Sequence, residues 1–176
     1  MTDTNTLSKE TADMLESFYK KELFAANFYT YITNFCRSKA YDCAKKYFHE
    51  GVEEEDRHAS IIAEYWNIRQ KEDLDVPEIP KPEIECEKFE DIIEYPLQLE
   101  TELLDDYEKE IGLCYKRLDI RTARFLTQFL DIQEQTIKEL KEKKRIFEAC
   151  GGEENYVEVD KLVFCSNEAI DVKPKL

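Results

Sequence analysis

At 176 residues the chain is long enough for one domain with a sizeable core and too short for two comfortable ones. Only four glycines and five prolines, beside 42% hydrophobic and 37% charged residues, argue for a packed, mostly helical protein and against disorder. A net charge of −15 disfavours nucleic acid and anionic membranes as partners, because both repel a polyanion.

The first apolar stripe, Leu15, Phe18, Ala25, Tyr29 and Ile32, predicts a helix from about Ser8 to Cys36. A second helix is predicted from about Tyr41 to Gln70, through Phe48, Val52, Ala59, Ile62 and Trp66. From Glu72 to Glu87 the pattern breaks at Pro77, Pro80 and Pro82, none of which suits a helix interior. The third helix should run from about Phe89 to Leu118, and Pro96 within it predicts a kink or a late start. The fourth covers about Ile120 to Cys150 and stops at Gly151-Gly152. A short amphipathic helix follows within 153–165, and 166–176 reads as a frayed polar tail.

These elements predict an all-α, single-domain architecture over 1–176, with a four-helix bundle from about 8 to 150 and a short fifth helix. Each long helix should span about 40 Å at ~1.5 Å per residue. Short turns make helices one and two, and three and four, antiparallel neighbours. The proline-rich stretch is long enough to run back along the bundle, which gives an up-down-down-up order with one long crossover.

No segment reads as a signal peptide, and no apolar run approaches the roughly 18 residues of a membrane span. The six cysteines (Cys36, Cys43, Cys86, Cys114, Cys150, Cys165) form no C-x-x-C pair, which argues against a rubredoxin-type or zinc-finger site. They are expected as free, mostly buried thiols in a reducing, cytoplasmic compartment.

The chemistry lies on the apolar stripes. Glu55 and His58, three residues apart on helix two, project from one face together with Phe48, Ile62 and Trp66. Helix one places Glu22 in phase with Phe18 and Tyr29, helix three places Glu100 beside Leu103 and Tyr107, and helix four places Gln133 between Phe129 and Ile137. A lone glutamate on such a stripe ordinarily snorkels to solvent, and an isolated E-x-x-H is common by chance. One polar group per helix is harder to explain without a cation, since unpaired charges in one core outweigh a small domain's stability. Two ions sharing a carboxylate would remove that cost. Glu22, Glu55 and His58 would hold the first. Glu55 as a bridge, Glu100 and the neutral Gln133 would hold the second more loosely. His49 points to the opposite face and reads as a surface residue.

With these residues assembled, the chain resembles the non-haem ferritins, of the bacterial type, over about Leu7 to Val163. The resemblance rests on Glu22 with Tyr29 seven later, Glu54-Glu55-x-x-His58-Ala59, Leu99-Glu100, and Gln133. It implies a ferroxidase centre taking two irons per subunit, with oxygen or peroxide as oxidant, inside a homo-oligomeric shell of about 24 subunits holding ferric mineral. It implies that Tyr29 supplies an electron during oxygen reduction, although Tyr29 also fits as a core tyrosine. The short fifth helix would pack at a fourfold axis.

Departures from the family pattern qualify this. The positions matching a third iron site beside Glu54 are Ile132, Gln135 and Thr136, so that site is expected to be missing or altered. Glu54 then reads either as a possible metal or transit residue or as a solvated helix charge. Ala123 and Leu126 fall where animal-type members line threefold channels with acids. The lack of a second E-x-x-H, with Met1 and Met14 both preceding the expected haem position, argues against haem. Two alternatives remain: a rubrerythrin-like peroxidase or other di-iron oxidase, and a metal-free structural bundle.

Overall fold

A computed structural model describes residues 6–72, 74–151 and 155–165. Five helices follow one another: α1 (Lys9–Lys39), α2 (Asp42–Gln70), α3 (Asp91–Lys116), α4 (Ile120–Ala149) and α5 (Tyr156–Phe164). Among the described residues there is no strand, and the architecture is the ferritin-like four-helix bundle with a short C-terminal helix. The predicted tail, 166–176, lies outside the described residues. None of the described helices is long and apolar enough to cross a membrane.

Local chemistry sets the helix ends. The Ser8 hydroxyl accepts the Thr11 N–H at 3.2 Å and starts α1. Ala40, left-handed at φ 60°, ends α1, and the Tyr41 N–H closes on the Cys36 carbonyl at 3.0 Å. The Asp119 carboxylate accepts the Thr122 N–H at 3.2 Å to open α4. Gly151 (φ +70°) follows its end, where a side chain would be strained. Helix α3 begins at Asp91, two residues later than Phe89, so Pro96 falls in its second turn; the missing N–H forgoes one bond, to the Ile92 carbonyl.

Contacts between helices establish the topology. Along α1, Lys21 meets Asp106 at 2.5 Å while Tyr29, further on, bonds Glu100, so α1 and α3 run antiparallel. Along α2, Lys143 lies over the Tyr47 ring, His58 meets Phe129, and Tyr65 stacks on Phe125, so α2 and α4 also run antiparallel. With the tight turn between α1 and α2, this is the up-down-down-up order, and the described residues between α2 and α3, 71–72 and 74–90, belong to the crossover.

The core is split in two. One apolar cluster gathers Phe28, Ile32, Phe48, Phe89, Ile92 and Val163 near the α5 end. The other gathers Leu15, Phe18, Ile62, Tyr107, Leu126 and Phe129 toward the opposite end. Between Phe18 and Tyr29 on α1 stands Glu22, in the layer that separates them. Trp66 is half-buried at the edge of the second cluster.

Helix α5 folds back onto the start of α2. Tyr41 offers α2 no side-chain cap, and Asp160 of α5 supplies one, accepting the Cys43 and Ala44 N–H groups at 2.8 Å each. The Lys143 ammonium is buried beneath the Tyr47 and Phe164 rings, 4.4 and 5.3 Å from their centroids. Here the expectation of free thiols is corrected for two residues. Cys43 and Cys165 form a disulfide with their Cα atoms 5.4 Å apart, because the docking of α5 brings together positions 122 residues apart. Cys36, Cys86, Cys114 and Cys150 are free.

A second correction concerns the start of α4. Ala123 and Leu126 are fully buried inside the subunit, so neither can line a channel between subunits. They belong to the stripe that includes Phe125 and Phe129. Exposed side chains at this end include Leu118, Ile120, Arg121 and Arg124.

Candidate metal centre

Four helices each deliver a polar side chain to the layer between the two apolar clusters. Glu22, Glu100, Gln133 and His58 are 0 to 2% exposed and Glu55 is 5% exposed. Among the described residues, Glu22, Glu55 and His58 present ligand atoms all within 4.8 Å of one another. The His58 Nδ1 lies 3.2 Å from Glu55 Oε2 and 3.5 Å from Glu22 Oε2. Its ring is held edge-on against Phe129, with centroids 5.6 Å apart. The i, i+3 spacing on α2 makes the Glu55–His58 approach, and the antiparallel packing of α1 brings Glu22 to it.

Glu100 stands on α3, outside that three-residue group. The Tyr29 hydroxyl donates to its Oε1, and Gln133 favours its charged form. The Tyr107 hydroxyl donates to Glu22 Oε1. Spacing had marked Tyr107 only as an apolar stripe residue. The available signal was its position seven residues after Glu100, the same separation as Glu22 and Tyr29.

The electrostatics show how the site is neutralised without an ion. Burial pushes Glu55 well above the usual carboxylate range, and the charges of Glu22 and Glu100 add to that push against the pull of His58. Burial, reinforced by the Glu22 charge, raises Glu100 to about 7. Burial acts upward on Glu22 too, but the bond and charge of His58 outweigh it and hold Glu22 below its ordinary value. Burial alone would lower His58; Glu55 and Glu22 overcome it and raise the imidazole well above its usual range. Without a metal, burial and the neighbouring charges thus raise the proton affinity of Glu55, Glu100 and His58, while His58 keeps Glu22 the readiest of the three carboxyls to ionise.

Among the described residues, Glu100 Oε2 and Gln133 Oε1 in this layer have no hydrogen-bond partner, and Glu22 Oε2 has only the long 3.5 Å approach of His58 Nδ1. Buried polar atoms without partners are costly. Carboxylate oxygens joined by one imidazole nitrogen suit divalent iron, manganese or zinc better than a soft cation. The donor set thus fits a metal that would compete with protons there and satisfy those oxygens.

Glu54 is not brought into this layer. It is exposed and lies 3.6 Å from Arg57. Of the helix-four positions matched to a third iron site, Ile132 is buried, the Thr136 hydroxyl donates to the Ile132 carbonyl, and Gln135 donates to Glu139 at 2.8 Å. His49 is exposed and 4.0 Å from Glu53, on the face expected for it.

The model of the ferritin-like domain family matches residues 12–146, a span that includes Glu22, Glu55, His58, Glu100 and Gln133. A bacterial non-heme ferritin from Staphylococcus saprophyticus is 29% identical over 127 residues, covering 72% of this chain and 75% of the relative. One from Campylobacter jejuni is 24% identical over 129 residues, covering 73% of this chain and 77% of the relative. On these matches, and on an all-helical bundle with a buried acidic centre, the chain belongs to the non-haem ferritin family.

Proposed function

We propose that the chain is an iron-storage subunit that oxidises Fe(II) with dioxygen or peroxide at a two-iron centre and holds the ferric product as mineral inside a shell. The carrying observation is the buried Glu22–Glu55–His58 group, whose ligand atoms converge within 4.8 Å, in the same layer as the unsatisfied Glu100 Oε2. Glu22, Glu55 and His58 take the first ferrous ion. Glu55 bridges to the second, which Glu100 caps with Gln133 nearby. Each ferrous ion gives up one electron. Dioxygen takes both with two protons and leaves as hydrogen peroxide.

The protein's part is geometry and charge. Binding competes with protons at Glu55, Glu100 and His58, whose proton affinity is raised, so each entering dication displaces whatever proton they hold. Glu100 lies outside the three-residue group, and the second position has fewer ligands of its own, which makes it the weaker one. A loosely held second ion suits a centre that passes its product onward. Tyr29, bonded to Glu100, is placed to supply an electron, and Glu54 stands outside as a possible transit residue.

We further propose one domain, a homo-oligomer of about 24 subunits and a cytoplasmic setting. The four free cysteines support that compartment, and the Cys43–Cys165 bond is the observation against it. Sizing the purified protein and adding ferrous iron in air tests the whole reading. A large particle that takes up far more than two irons per subunit is the expected result. A small oligomer that keeps two irons would establish a di-iron oxidase or peroxidase instead. No oxidation above the buffer blank would leave a metal-free structural bundle.

A further inference from the structure

Two glutamate–tyrosine pairs with the same spacing face each other across the bundle. Glu22 and Tyr29 lie on α1, Glu100 and Tyr107 on α3, each pair seven residues apart. Because α1 and α3 run antiparallel, each tyrosine reaches the glutamate of the other helix. Tyr29 donates to Glu100 Oε1, and Tyr107 donates to Glu22 Oε1. In both cases the second oxygen, Oε2, is left buried and without a hydrogen bond, that of Glu22 facing His58 Nδ1 at 3.5 Å. A hydroxyl on one oxygen of a carboxylate fixes its rotation and aims the other.

The surroundings of the two tyrosines differ. The Tyr107 ring is fully buried and sandwiched in a column, stacked on Phe18 at 4.2 Å and 1° and on Phe129 at 5.5 Å and 9°. Phe129 in turn meets the edge of the His58 ring. Tyr107 therefore touches the fixing of two ligands of the first position: Glu22 directly, His58 through Phe129. Tyr29 sits instead against Phe48, at 5.9 Å and 20°, and bonds only the carboxylate of the second position.

We infer that Tyr107 is a positioning residue for the first metal and Tyr29 the corresponding one for the second, so that the two positions are tuned by tyrosines from opposite helices. This rests on the two-metal reading of the site. Hydrogen-bond partners behind a metal ligand typically set metal affinity by about 10- to 100-fold.

Cobalt(II) tests this without any redox turnover, by calorimetry and by the visible absorption of the bound ion. Wild-type protein should take up two Co²⁺ per subunit in two steps, with Glu22→Gln removing the tighter step and Glu100→Gln the weaker. Tyr107→Phe keeps the stacked ring and loses only the hydroxyl. It should weaken the tighter step by roughly 10-fold or more and alter its absorption, leaving the weaker step as in wild type. Tyr29→Phe should do the reverse, and Tyr107→Phe should add nothing in the Glu22→Gln background. Unchanged cobalt steps in Tyr107→Phe, or loss of the same step in both tyrosine variants, would overturn the inference while the two-metal site stands. Wild-type protein that takes up no cobalt would overturn both.

Discussion

The His58 Nδ1 lies 3.2 Å from Glu55 Oε2, one turn away on α2, in a layer that separates two apolar clusters. That contact joins the imidazole proposed for the first metal position to the carboxylate proposed to serve both. Glu55→Ala should therefore slow ferrous oxidation by more than the roughly 10- to 100-fold lost when only a supporting partner is removed. Stopped-flow absorbance of the ferric product measures this, and a wild-type rate in Glu55→Ala would remove the proposed centre.

Metal-free protein should be less stable at pH 8 than at pH 5.5. Glu55 and Glu100 have folded values raised above 4.5, so the folded state holds their protons more firmly, and stability falls as pH rises above 4.5 toward those values. His58, also raised, contributes stability that is full below its unfolded value of 6.5 and is lost as pH climbs through its folded value. Glu22 works in the opposite sense, but only as pH falls below 4.5. For Glu100, at about 7 when folded, the difference between pH 5.5 and pH 8 comes to roughly 2 kcal/mol. Urea midpoints across pH check the sign. Glu100→Leu, an apolar replacement of a buried acid, should raise the midpoint at pH 8 and flatten the profile.

Zinc or cobalt should reverse that loss. An ion that binds only the folded chain stabilises it by about 2.7 kcal/mol at 100 times its Kd. The gain should be larger at pH 8 than at pH 5.5, because protons compete for Glu55, Glu100 and His58 at the lower value. A thermal midpoint unmoved by metal at pH 8 would count against the site.

Asp160→Ala should cost about 1–2 kcal/mol, since the α2 N-terminus has no cap of its own and Cys43 and Ala44 would lose their acceptor. Cys43→Ser should cost about 2–4 kcal/mol by opening the Cys43–Cys165 link. In both variants α5 should become cleavable by protease sooner than the bundle. Cleavage rates equal to wild type would mean that the apolar contacts of Val159, Val163 and Phe164 hold α5 unaided.

The four long helices, their stripes and the polar residue on each stripe could all be read along the chain, because helical periodicity is a property of near neighbours. Glu22, Glu55, His58, Glu100 and Gln133 each interrupt an apolar face, and that interruption needs no partner to be seen. The crossover was legible for the same reason, since prolines end helices locally. The roles of Tyr107, Asp160 and the cysteines were not legible. Tyr107 to Glu22, Asp160 to Ala44 and Cys43 to Cys165 join positions 85, 116 and 122 residues apart. Only the register of antiparallel helices and the docking of α5 decide which distant side chains meet. Ala123 and Leu126 show the same division: spacing placed them on a helix, but packing turned that face inward. Sequence alone thus determined which residues could make a metal centre, and tertiary structure decided which tyrosine aims which carboxylate, because that depends on how helix faces meet.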